Sequence, residues 1–322
     1  MTPYRNDTFV SQEAAWLLLP GLDGTNPLAY LAALGLFRVV SAVVRKRGGQ
    51  EPVRMSWVGA EGTWVPRLSS SNVERCYILD LLEKELMNDI SEHPAALVRL
   101  LGSADGEERR TGIEMRVRGT NASSRDDADW ISAIASDTVA SDATSQLQAV
   151  RRDYYHGNLE TVMRETTLSH LERSLFRTWD YADPLKNQSL HWDPSEDRRH
   201  AHQWNKPAGD PRRNTSGGML GANRLAIEAL PLFTSLPVGE SLRTVGFTGD
   251  KSNNTRWTWP IWSCPVDLAT ARSVMTMRQL QEEAPSRVAI AGLRAAGIVA
   301  AYRSRRILVG KTPNFTPSEQ IA

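Results

Sequence analysis

Cysteine is nearly absent from this chain. Two residues among 322, Cys76 and Cys264, stand far apart, which excludes a disulfide framework and a cysteine-based zinc site and fits a reducing cytoplasm. Net charge is also missing, at +1 from 38 basic and 37 acidic side chains, so the whole-chain charge selects no partner. No tandem repeat is present. The catalytic signatures that can be read from sequence are missing too: no Walker A loop, no G-x-S-x-G elbow, no H-E-x-x-H, and no strand-to-helix G-x-G-x-x-G. Long apolar runs reduce to one, Pro27–Val44, followed by Arg45–Arg47. It is a poor membrane span, because Arg38 inside it costs about 2.5–3.5 kcal/mol near a bilayer centre and no second span follows. A buried helix is the expectation. The amino terminus lacks the compact basic start and the apolar core of a secretory signal.

What the chain does have is an ordinary globular composition, with 41% hydrophobic and 23% charged residues, and enough length to bury a sizeable core. Ala14–Leu19 reads as a short buried strand, followed by the glycine-containing turn GLDGTNP and a helix with Asn26 as N-cap and Pro27 at N1. Glycines before a helix start could hold a phosphate, but the lysine of a P-loop is missing and a tight turn with an N-cap accounts for Gly24, Thr25 and Asn26. VRMSWVG and TWVPRLS read as a hairpin around AEG. Helical spacing covers VERCYILDLLEKELMND and, as one run, NLETVMRETTLSHLERSLFRTWD. IEMRVR reads as a short strand, and ISAIASDTVASDATSQLQAVRRD, with few large apolar anchors, as mobile loop. Further on, GANRLAIEALPLF reads as a helix broken by Pro231, RWTWPIW as a strand and VDLATARSVMTMRQL as a capped helix; PSRVAIAGLRAAGIVAAYRSRRILVG gives a helix and a strand.

Charge is unevenly spread. Residues 180–322 hold 18 basic against 13 acidic side chains, leaving 20 against 24 in residues 1–179, so the halves are +5 and −4. Five of the ten tryptophans, Trp192, Trp204, Trp257, Trp259 and Trp262, lie in the basic half among its arginines. Cations beside flat rings suit single-stranded nucleic acid, where phosphates attract the charge and bases stack; core tryptophans under a solvated basic face are the other reading. Arg303 and Arg305 alternate onto one strand face, as a phosphate track or as the charges of a protected edge strand.

The run HWDPSEDRRHAHQWNKP, His191–Pro207, concentrates histidine, acid, arginine and tryptophan. His200 and His202 share a face only on a strand, and the local pattern is helical: Asp193 at N-cap, Pro194 at N1 and Glu196 at N3 form a capping-box arrangement. A metal site is therefore not expected there, although a nuclease built on His191, Asp193, Asp197 and His200 is the enzymatic alternative.

LPGLDGTNPLAYLAALGLFRVV resembles the amino-terminal signature of proteins encoded in type I-G (formerly I-U) CRISPR loci: a glycine-containing turn, a Pro-Leu pair and a YLxALGxxR-like helix, here Tyr30–Arg38. The stretches WDYADPL, LHWDPSEDRRHAHQW, GANRLAIEALPLF and WTWPIW, within Trp179–Trp262, are similar to the carboxyl-terminal half of such an accessory or large-subunit-like protein. This chain is much shorter than the true large subunits. The resemblance implies an RNA-guided, antiviral-defence context with no active-site motif to carry across.

Together these readings give an α+β fold with a mixed, partly antiparallel sheet, divided as an α/β region at 1–120, a helical middle at 121–178 and a basic, tryptophan-rich region at 179–322. The expected function is a non-catalytic, cytoplasmic component of an RNA-guided effector, without cofactor, metal or membrane contact. Its partners would be crRNA or target DNA and other effector subunits, and a protein-only scaffold is a further alternative. The expected nucleic-acid contacts are Arg198, Arg199, Trp204, Arg212, Arg213, Asn223, Arg224, Arg256, Trp257, Arg303 and Arg305.

Overall fold

Asn26 sets the start of the central helix. Its side chain accepts from the backbone N–H of Leu28 and Ala29, and Pro27 follows at N1, so the first turn of α1 (Pro27–Lys46) is capped as the sequence predicts. The fold is that of a computed structural model describing residues 15–49, 51–70, 73–88, 90, 93, 106–121, 125–134, 145–150, 152–184, 189–195, 217–238, 241–249, 254–309 and 312–322. The apolar run is a core helix, with 89% of its apolar window buried inside the protein.

On the amino-terminal side α1 is preceded by β1 (Trp16–Leu18) and followed by the hairpin β2 (Arg54–Ala60) and β3 (Thr63–Ser69). The three strands form an antiparallel sheet in the order β1-β3-β2, turning at Glu61 and Gly62, both with positive φ. Helices follow: α2 (Arg75–Leu86), α3 (Gly106–Gly119), α4 (Arg125–Ile134), α5 (Arg152–Glu165) and α6 (Leu168–Phe176).

Three expectations change here. IEMRVR lies within α3: its strand-like alternation leaves Met115 and Val117 half to two-thirds exposed, no strand among the described residues pairs with it, and the Glu114–Arg118 pair is spaced for a helix. The single run over 158–180 divides at Thr166 and Thr167, because Thr166 returns its hydroxyl to the Val162 carbonyl while Thr167 and His170 form the capping box that starts α6. The supposedly loose middle is anchored, since Trp130, Ala133, Ile134, Leu147, Ala149 and Val150 are buried and Gln146 is bonded to Thr244 in both directions. Residues 135–144 lie outside the described residues.

The remaining elements are the two-residue ladder β4 (Asp183–Pro184) with β5 (Gly217–Gly218), α7 (Leu220–Ala229) running into a 3-10 turn at Leu230–Leu232, and the ribbon β6 (Ser235–Val238) with β7 (Ser241–Thr244). β8 (Phe247–Thr248), β9 (Arg256–Trp262), β10 (Ile298–Val309), β11 (Thr312–Phe315) and β12 (Glu319–Gln320) make the main antiparallel sheet, and α8 (Leu268–Met275) and α9 (Arg287–Ala295) lie between β9 and β10. The fold is α+β, and every strand pairing among the described residues is antiparallel.

α1 and α7 pack so closely that a Cβ on Gly35 would stand 1.8 Å from the Leu225 carbonyl oxygen. Only glycine permits that approach. The hairpin and the main sheet close over the other side of α1 through aromatic rings: Tyr30 stacks on Trp57 at 5.5 Å between centroids, Trp57 meets Trp262 edge-on, and Trp257 lies 4.7 Å from Trp259. One contiguous core contains Leu31, Trp130, Leu171 and Trp259, drawn from all three regions expected from sequence.

Candidate nucleic-acid interface

The stretch that opens at His191 enters the core at once. Trp192 is fully buried and donates its indole N–H to the Leu147 carbonyl at 2.8 Å. Asp193 is also fully buried: one carboxylate oxygen accepts from Ser195 N at 2.8 Å and from Asn26 Nδ2 at 3.1 Å, and the other from the Tyr181 hydroxyl at 2.8 Å. It caps the helical turn at Pro194 and Ser195, as its spacing predicts, and it also ties that turn to the N-cap of α1. Burial raises the Asp193 carboxyl above its ordinary value, opposed by the hydrogen bonds from Ser195, Tyr181 and Asn26. Tyr181 and His191, both preceding it in the chain, take positive φ, at 52° and 58°. His191 directs Nδ1 to Asn314 Oδ1 at 3.1 Å. The carboxylate and imidazole that the nuclease alternative requires are thus engaged in holding chain segments together. Glu196, Asp197, Arg198, Arg199, His200, His202 and Trp204 lie outside the described residues, as do Lys206, Arg212 and Arg213.

Four of the remaining expected contacts are interior residues, a correction to the sequence reading. Asn223 is 0% exposed and bridges the Leu190 N–H to the Met219 carbonyl. Arg224, 1% exposed, pairs with Glu228 at 2.6 Å. Trp257, 0% exposed, is sandwiched among Phe247, Trp259 and Phe315. Arg303 fills its donors from inside the protein, with Thr258 Oγ1 and the carbonyls of Leu280, Glu282 and Glu283. With four of its five N–H donors bound to internal oxygens, this guanidinium has little left for a phosphate. The edge-strand reading fails as well, because β10 is paired with β9 on one side and with β11 and β12 on the other.

Two expected contacts reach solvent. Arg305 is 60% exposed, with Glu319 no closer than 3.7 Å, and Arg256 is partly buried against Glu283 at 2.8 Å. Of the C-terminal tryptophans, Trp192, Trp259 and Trp262 donate to backbone carbonyls and belong to the core, in agreement with the structural alternative.

Sequence reasoning missed a buried ion cluster. Arg38 of α1 donates to Glu228 of α7 at 3.0 Å and to both carboxylate oxygens of Asp126 at 2.9 Å. Glu228 also receives Arg224 and faces His93 Nε2 at 2.8 Å, and the Arg38 guanidinium lies 5.1 Å over the Trp130 ring. Burial alone would raise the Glu228 carboxyl, but the charges of His93, Arg224 and Arg38 outweigh it and hold the group well below the ordinary carboxylate range. The available signal was Arg38 itself, because a lone charge in an apolar helix requires a buried partner.

No known family model matches this chain, and no curated protein is found similar to it.

Proposed function

We propose that the protein is a non-catalytic, cytoplasmic component of an RNA-guided, CRISPR-type effector, binding crRNA or target DNA beside other subunits. The observation that carries this reading is where the resembling motif sits. Gly21 is in contact with the backbone of α6, Gly24 with Trp57 and Ile261, Asn26 with Asp193, Tyr30 with Trp57, Gly35 with α7 and Arg38 with Glu228. The motif that carries the resemblance thus falls on residues around which this fold is assembled, and that supports the reading.

The basic excess of residues 180–322 supplies the electrostatic attraction a polyphosphate needs. Contacts on this reading come from Arg305, from Arg256 and from the sequence-assigned set Arg198, Arg199, Trp204, Arg212 and Arg213. The nuclease reading has less support, since Asp193 and His191 are already committed to structural bonds.

The test is binding to labelled single-stranded RNA, single-stranded DNA and duplex DNA across a salt series, with Mg²⁺ and product analysis. Salt-dependent binding without cleavage is expected, and replacing Arg212 and Arg213 with alanine should flatten the single-strand salt slope by about 1.4. Unchanged affinity and slope in that variant would overturn the assignment of contacts; metal-dependent cleavage would overturn the non-catalytic reading.

A further inference from the structure

A cleft of about 620 Å³ opens between α1, α4 and the start of α8. Its volume is that of a small-molecule site. Four arginines and four carboxylates line it, and their pairing decides what it can hold. Arg38 is taken by Asp126, Arg272 by Asp129 at 2.6 Å, and Asp267 by the N–H of Thr270, which it caps. Asp267 keeps its negative charge, and three other charges remain without a close ion pair. Among the described residues Arg45 and Glu51 have no ion-pair partner, and Arg125 is 76% exposed and no closer than 3.9 Å to Asp129. One turn before Arg45 on α1, the hydroxyl of Ser41 is buried with no hydrogen-bond partner among the described residues.

An unpaired guanidinium from each of two helices, with a hydroxyl donor beside one of them, matches the donor set of an anion with several oxygens. Glu51 suits a ligand that also offers hydroxyl or amino donors, and the side chains of Val53 and Leu268 give the rest of the wall an apolar surface. We infer that this cleft binds a phosphate monoester carrying a hydroxylated, nucleoside-like body, either as a free mononucleotide or as the phosphorylated end of a strand. The phosphate lies between Arg45 and Arg125, where a turn of the Ser41 side chain would bring its buried hydroxyl into reach, while Glu51 accepts from the sugar. The site is separate from the contacts proposed above and does not depend on them.

Calorimetric titration of the full chain with AMP, adenosine, and a short oligonucleotide with and without a terminal phosphate tests the inference. AMP or the phosphorylated oligonucleotide should bind while adenosine and the unphosphorylated strand do not, and whichever of the first two binds tighter identifies the source of the phosphate. Arg45→Ala and Arg125→Ala should each weaken binding about tenfold or more, as expected for loss of a charge-assisted hydrogen bond. Both variants should melt like the parent protein, because neither side chain is buried. Arg212→Ala with Arg213→Ala should leave AMP binding unchanged, which separates this site from the proposed nucleic-acid contacts. Equal binding of AMP and adenosine, unchanged affinity in both arginine variants, or no binding of any probe at ~10 mM would overturn the inference.

Discussion

The Arg38 guanidinium of α1 donates to the Glu228 carboxylate of α7 at 3.0 Å, with both side chains almost fully buried. Two helices that already approach backbone to backbone at Gly35 and Leu225 are thereby joined by a buried charge pair. Such a pair contributes little over a well-packed apolar substitute, but removing one member strands the other.

Loss of Glu228 should therefore be the most damaging change in the cluster. Glu228→Gln leaves Arg38 and Arg224 facing a neutral amide and should cost about 3–5 kcal/mol. Arg38→Met should cost less, because Glu228 keeps Arg224 and His93. Asp126→Ala should cost under about 1 kcal/mol, since that carboxylate is half exposed. Urea denaturation of the three variants gives the order directly.

Acid should weaken the native state through the same residue. A carboxyl whose folded pKa is depressed contributes stability that is complete above the unfolded carboxylate value and is lost as pH falls through the folded one. Melting temperatures should fall on acidification below the ordinary carboxylate range, and the Glu228→Gln variant should show a flatter profile there.

Asp193 has the opposite sign. Its folded pKa is raised, so its contribution to stability declines as pH rises from the ordinary carboxylate value through the folded one. Asp193→Asn keeps an oxygen for Ser195 and Asn26, while the Tyr181 oxygen can accept from the new amide. It should change stability by less than about 1 kcal/mol and remove that pH dependence. Asp193→Ala strands three donors and should cost about 2–4 kcal/mol. Thermal melts of both variants across the acidic range decide this.

Two glycines should respond in opposite directions to alanine. Gly35→Ala must force α1 away from the Leu225 carbonyl and should cost about 3 kcal/mol or prevent folding. Gly157 is an exposed residue of α5 with open space around its Cβ position, so Gly157→Ala should stabilise by about 0.5–1 kcal/mol. Chemical denaturation reads both.

Local chemistry was sufficient for what one turn or one hairpin decides. Asn26 with Pro27, Asp193 with Pro194, and Asp267 before α8 mark helix starts because a capping side chain bonds to amides only two or three residues away. The β2–β3 hairpin and the strand β9 follow from short-range alternation and turn residues in the same way.

What a side chain faces was decided only by tertiary structure. Arg303 and Arg305 are two apart on one strand, yet the first is bonded to carbonyls near residue 280 and the second stands in solvent. Arg224 and Trp257 read as surface binders by type, and they become core because Glu228 and the rings of Phe247 and Phe315 await them. IEMRVR has the period of a strand but meets no strand edge among the described residues, and it closes its own hydrogen bonds as a helix. The sequence by itself determined where the capped helices α1 and α8 and the β2–β3 hairpin begin, and which segments are apolar. Arg224 meets Glu228 one helical turn away, but whether Arg38, Arg272 and Arg303 are satisfied depended on partners about twenty to two hundred residues distant, which only folding brought into reach.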